Sequence, residues 1–286
     1  MKNFFACSVL VSAILLCAPV LARAEIFITP ENPLQGDPVM VQVKGKTVRD
    51  IARITIAGKS QYFFNFNNQA TTFFPIDLNA KVGDRAVRVV HEDGIVETAN
   101  ITVKPRERVI ETFTIPEKLG GNTKESQQKL VTTLAQETDV LKGLKTVPRK
   151  LWVGDFHYPI KNPVITDTYG YGRETGAYTI PHKGIDFKAK IGTPVYTMNN
   201  GVVRLATESR NYGKVIVIDH GLGLMTLYLH LSQMSVKVGQ TVKTGQQIGL
   251  SGDTGYVTGP HLHVSVRINQ ISIDPAVFLD FFAKVE

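Results

Sequence analysis

Two histidines, His261 and His263, flank one leucine in the segment GPHLHVSV, residues 259–266. The chain holds seven histidines, and two more stand in short C-terminal segments, His182 in PHKGIDF and His230 in LYLHL. Asp186 follows His182 by four residues. Side chains of a strand alternate faces, so His261 and His263 point to one side. Gly184, between His182 and Asp186, disfavours a helix, and in extended chain that pair also shares a side. Imidazole and carboxylate are zinc ligands, and three protein ligands plus a water make a catalytic site. A histidine beside such a site, but not on the metal, moves protons at neutral pH. Spacing does not say which of His261 and His263 would bind the ion. The remaining histidines carry no such pattern: His91 stands beside a turn and is expected at the surface, and His157 and His220 read as structural.

The elements that must position these side chains are mostly strands. From Glu25 to about Lys104 the chain alternates with period two in VMVQVKG, ARITIAG, RAVRVVHEDG and ETANITV. Asn32-Pro33, Gly36-Asp37, Gly83-Asp84 and Asp93-Gly94 separate these runs, as expected of about seven strands in an immunoglobulin-like β-sandwich over residues 25–105. Residues 106–150 form a linker with a helix. In NTKESQQKLVTTLAQETDVLKGLK, Leu130, Leu134, Leu141 and Leu144, with Val131, Val140 and Val147, could share one broad face. Thr123 or Ser126 is the expected cap and Pro148 the expected stop. From Leu151 to Glu286 the chain is β-rich again. GKVIVIDHG and LMTLYLHL read as strands joined by a glycine turn, within an all-β domain folded round a groove.

Length and composition bound the class of protein. The 286 residues suit about two domains, and 43% hydrophobic content is that of a globular chain. A formal charge of +7 without a dense Lys/Arg run or a basic stripe interleaved with aromatics argues against nucleic acid as a partner. Met1-Lys2-Asn3, an apolar run from Phe4 to Leu21 and Ala22-Arg23-Ala24 have the form of a signal peptide cut after Ala24. Both cysteines, Cys7 and Cys17, lie in that segment, so the exported chain would hold no disulfide and no thiolate ligand. No later segment is long and apolar enough to span a bilayer.

The blocks HKGIDF, DHGLGLMTLYLHL and GLSGDTGYVTGPHLHVSV together resemble the signature blocks of the lysostaphin/LytM-type zinc metalloendopeptidases, which cleave peptide parts of peptidoglycan. The resemblance runs from about Tyr158 to Phe278. It implies a small antiparallel β-sheet with a narrow groove, Zn²⁺ held by His182, Asp186 and His263, and His230 and His261 as catalytic histidines. No H-E-x-x-H stands in the chain, so in this reading histidines do the work of a glutamate base. Some relatives have lost ligands and act as regulators of other wall enzymes; here every position is filled. The resemblance also implies a periplasmic or cell-wall location and, as substrate, either D-Ala–diamino acid cross-links or glycyl bridges. Tyr169 to Tyr178 are expected in a groove wall, and Tyr228 and Tyr256 in peptide contact. The N-terminal region is expected to position the domain, bind a regulatory protein or cover the groove.

Overall fold

A computed structural model describes residues 25–283. The segment read as a signal peptide lies outside the described residues. The protein is mostly β. Eight strands between Ile26 and Val103 form two four-stranded antiparallel sheets. Their inward side chains, among them Val39, Val41, Ile54, Ile56, Val87, Val89 and Ile101, make one buried cluster. His91 is part of this packing. It is 4% exposed, with Nε2 3.2 Å from Oε1 of Glu97, because the strand Gly83–His91 still has a sheet neighbour at its last residue. The expectation of a surface histidine was therefore wrong.

Helix α1 spans Lys124–Gly143. The side chain of Thr123, one of the two caps the sequence offered, caps it by accepting from the Ser126 amide. The helix stops at Gly143, five residues before Pro148. Val147 thus lies outside it, and Val140 is 56% exposed, so the apolar face is narrower than expected. Leu130 and Leu141 are its buried leucines.

The C-terminal domain is built on one large antiparallel sheet. Its central order is Ile165–Asp167, Ile185–Lys188, His261–Ile268, Leu224–Met234, Gly213–Gly221, Gly201–Ser209. The two longest apolar runs, Gly213–Gly221 and Leu224–Met234, are buried almost throughout. Such runs imply cover on both faces. One face, with Ile216, Ile218, Tyr228, Leu262, Val264 and Val266, packs into a core shared with Met40, Phe64 and Phe73 of the sandwich. The other face, with Val215, Val217, Met225, Leu227 and Leu229, receives Leu141 of α1. A separate three-stranded sheet pairs the hairpin Gly172–Thr175/Tyr178–Pro181 with Ile110–Thr112 of the linker. Helix α2, Pro275–Asp280, closes the core, capped by Asp274.

Candidate metal centre

Three side chains meet where the Ile185–Lys188 and His261–Ile268 strands pair. Asp186 and His263 are cross-strand partners in that ladder, and His182 comes from the turn just before it. Oδ1 of Asp186 lies 2.7 Å from Nδ1 of His263 and 3.0 Å from Nε2 of His182, and those two nitrogens are 2.9 Å apart. All three residues are buried. Gly184 permits the approach, since a Cβ there would collide with the His263 ring and the Val264 carbonyl.

Hydrogen bonding on the far side of each ring fixes the tautomers. Nδ1 of His182 stands 2.8 Å from the Thr168 carbonyl, which can only accept, so Nδ1 carries the proton. The Ser265 hydroxyl donates to the Lys183 carbonyl at 2.6 Å, so Nε2 of His263, 3.0 Å from that hydroxyl, must donate to it. The converging atoms are then two imidazole lone pairs and a carboxylate oxygen. Burial pushes His263 down to about 4, which disfavours a proton between them at neutral pH. Burial alone would raise the Asp186 carboxyl, but the His182 and His263 contacts hold it well below the usual range. Two imidazole nitrogens and a carboxylate oxygen this close, with the far side of each ring already hydrogen-bonded, fit one divalent cation with bonds of about 2 Å.

Arg173 secures the other Asp186 oxygen. Its Nη2 donates to Oδ2 of Asp186 at 2.7 Å and to Oδ2 of Asp167 at 2.6 Å, with the guanidinium over the Phe113 ring. This orients Asp186 so that Oδ1 faces the imidazoles. Arg173 was passed over in the sequence, although it lies in the stretch expected to form a groove wall. That stretch divides: Tyr169 is buried and donates to the Ser272 carbonyl, whereas the Gly172–Thr175 strand flanks the site.

The two remaining histidines stand beside the cluster. The His230 and His261 ring centres are 5.0 Å apart, and His230 is 5.9 Å from His263. Nδ1 of His230 donates to the Thr254 carbonyl and Nδ1 of His261 to that of Gly259, each at 2.9 Å. Neither Nε2 makes a hydrogen bond among the described residues. Nε2 of His261 is buried, has no hydrogen-bond partner and stands 3.7 Å from Oδ2 of Asp186. Burial, with His261 and His263 nearby, pushes His230 well below the ordinary imidazole range.

His230 reaches this face through a defect in its strand. Tyr228, two residues before it, should share its side. The register slips between Tyr228 and Leu231, and His230 takes φ +61°. This bulge turns His230 to the groove while Tyr228 stays in the core. Tyr228 is fully buried, its hydroxyl accepting from the Met198 amide at 2.9 Å and standing 2.9 Å from the Thr226 hydroxyl. It is out of reach of any peptide, which corrects the expected contact. Tyr256 does line the groove, with its hydroxyl 2.8 Å from that of Thr175 and its ring 5.0 Å from Phe113. His220 is structural: fully buried, it is held between the Asn200 carbonyl and the Thr226 hydroxyl, and burial lowers it to about 4.

Linker residues roof the centre. Leu130 packs with Ile115 and Tyr256, and Leu141 with the apolar groove floor. Glu137 accepts from the Asn211 and Tyr212 amides at 2.9 and 3.2 Å. A cavity of about 460 Å³ remains between α1 and the floor, reached by His182, His230 and His263. A second, of about 510 Å³, opens on the His261 side between Glu111, Asp167 and Pro260.

An antiparallel groove bearing two imidazoles and a carboxylate at one point, with two further imidazoles alongside, has the donor set of a metallopeptidase site and is a candidate metal centre. Residues 180–275 match the profile of peptidase family M23, and the chain carries a domain of that family. Over 88 residues it is 58% identical to peptidoglycan DD-endopeptidase ShyA of Vibrio cholerae, covering 31% of this chain and 20% of that protein. Over 118 residues it is 39% identical to the DD-carboxypeptidase/endopeptidase Mpg of Neisseria meningitidis, covering 41% of this chain and 27% of that protein. The matches thus take in about a fifth to a quarter of these relatives. A crystal structure from Pseudomonas aeruginosa assigned to peptidase M23 superposes with TM-score 0.61 at 25% identity, covering 86% of this chain and 94% of that one. That likeness reaches well beyond residues 180–275.

Proposed function

We propose that the protein is an exported zinc endopeptidase that hydrolyses peptide cross-links of peptidoglycan. The observation that carries this reading is the meeting of three ligand atoms, from His182, Asp186 and His263, beside the imidazoles of His230 and His261. Zinc bound there supplies an acidified water and a polarised carbonyl. The chain's own residues do the rest. His230, held neutral by burial, and His261, both oriented by backbone carbonyls, take a proton from the attacking water and return one to the leaving amine. Ser265 and Thr168 hold the two imidazole ligands in their metal-binding tautomers. Arg173 holds Asp186 to a single inward oxygen. The relatives named as DD-endopeptidases favour the D-Ala–diamino acid cross-link over glycyl bridges, and a site of action outside the cytoplasm, periplasmic or at the cell wall.

The test is mass spectrometry of material released from purified sacculi, with and without chelator. The wild type should release peptide-cleaved, glycan-intact fragments, and chelator or His263→Ala should abolish them. A protein that binds zinc stoichiometrically yet cuts nothing would instead be a silent regulator with an M23 domain. The roof formed by α1 and residues 109–119 supports a latent enzyme whose linker covers the groove. In this reading residues 25–105 are the supporting sandwich, 106–150 the covering linker and 151–286 the peptidase domain.

A further inference from the structure

The face that carries His261 and His263 does not end with them. With period two, Ser265 and Arg267 of the same strand follow on that side. Arg267 pairs across the ladder with Met225, a residue of the groove floor. It is 7% exposed and lines the cavity under α1. Its Nε and Nη1 are buried without any hydrogen-bond partner, and the ionisable groups that bear on it are the phenols of Tyr212 and Tyr169 rather than a carboxylate. A buried guanidinium left unpaired is costly, and folds retain such a group when a ligand completes it. The same cavity holds a second orphan. Gln270 donates Nε2 to the Leu144 carbonyl at 2.6 Å, which fixes its orientation and leaves Oε1 buried and unpartnered.

We propose that Arg267 is the anchor of a carboxylate subsite, taking the C-terminal carboxylate of a peptide while Gln270 accepts an N–H of its last residue. The inference rests on the peptidase reading for its choice of a peptide ligand. A guanidinium fork matches a carboxylate bidentately, and a terminal carboxylate always has an amide N–H close by. Burial lowers the Arg267 pKa, the direction that a bound carboxylate would reverse. Arg267 stands four positions beyond His263 on the strand, about 13 Å at ~3.3 Å per residue. The subsite therefore measures about four extended residues from the bond to be cut.

Binding and turnover are read separately on the full-length protein. N-acetyl-D-alanine should raise the melting temperature of the wild type by about 2–4 °C at roughly tenfold its Kd. N-acetyl-D-alaninamide and inorganic phosphate should not. Arg267→Met should abolish the shift and itself melt no lower than the wild type, because it replaces an unpaired buried cation with an apolar chain of similar length. Arg267→Lys should keep part of the shift. Equal shifts with the amide or with phosphate, a shift retained in Arg267→Met, or a marked loss of stability in that variant would each overturn the subsite. On cross-linked muropeptides, amidating the free terminal carboxylate should raise KM about ten- to hundredfold for the wild type and leave Arg267→Met unaffected. A carboxylate-specific shift without any cleavage keeps the subsite and rejects the peptidase reading. Cleavage indifferent to the carboxylate does the reverse.

Discussion

Asp186 and His263 are 77 residues apart in sequence and 2.7 Å apart in space. What suits that contact to a metal is the Ser265 hydroxyl, which accepts the proton on the far nitrogen of His263. Removing the acceptor should free the other tautomer. Ser265→Ala should weaken zinc about ten- to hundredfold in a chelator competition, with the fold unchanged. Equal affinity would mean that Ser265 does not set the tautomer. His220 gives the opposite case, a histidine whose chemistry is only stability. Its pKa in the folded state, about 4, lies below the ordinary 6.5. Its contribution is therefore present above pH 6.5 and is lost as pH falls towards 4. A shift of that size corresponds to about 3 kcal/mol. Between pH 7 and pH 4 the wild type should lose about that much more stability in urea than His220→Gln, which can keep both hydrogen bonds. Parallel losses would assign the pH dependence elsewhere.

At the scale of elements, α1 and the groove floor are complementary apolar surfaces. Leu141 meets Val215, Val217, Met225, Leu227 and Leu229, and Glu137 ties the helix to the loop at Asn211 and Tyr212. Leu141→Ala should cost about 2–5 kcal/mol of docking. Faster amide exchange confined to α1 and a higher rate of peptide release are the expected readouts. Faster exchange with an unchanged rate would show that the helix does not gate the groove. The bulge at His230 belongs to this scale as well. A regular strand would bury His230 beside Tyr228 in the core, so one residue out of register separates a proton carrier from a packing residue.

Across the whole molecule, the sandwich and the C-terminal domain share one core. Phe64 and Phe73 stand 4.9 and 6.3 Å from Trp152, the only tryptophan, and Phe73 is 5.8 Å from Phe278. Arg106 sits between the domains, 2.5 Å from Asp37 and 3.2 Å from Asp274. A fragment starting at Leu151 would uncover Trp152, Phe156 and Phe278, so point substitutions probe the linker more cleanly than truncation. Arg106→Ala leaves two buried carboxylates without their cation and should cost about 3–5 kcal/mol. Tryptophan fluorescence and far-ultraviolet dichroism should report one coincident unfolding transition in the wild type. In the variant the fluorescence change should come first. Coincident transitions at the wild-type midpoint would show that Arg106 does not hold the domains together.

Local pattern determined a good deal of this. Alternation placed the strands, Thr123 marked the start of α1, and two-residue spacing put His261 and His263 on one face; continued two steps, it would also have reached Arg267. The three signature blocks pointed to the M23 domain. Tertiary structure decided the rest: that His230 turns into the groove while Tyr228 does not, that Arg173 grips Asp186, that His91 is buried, and that the linker helix lies over the candidate metal centre. The reason is physical. Period two is a property of consecutive residues and can be read from them. Whether a sheet face meets solvent, a helix or another domain depends on partners far along the chain, and a bulge is set by the ladder on both sides of a strand.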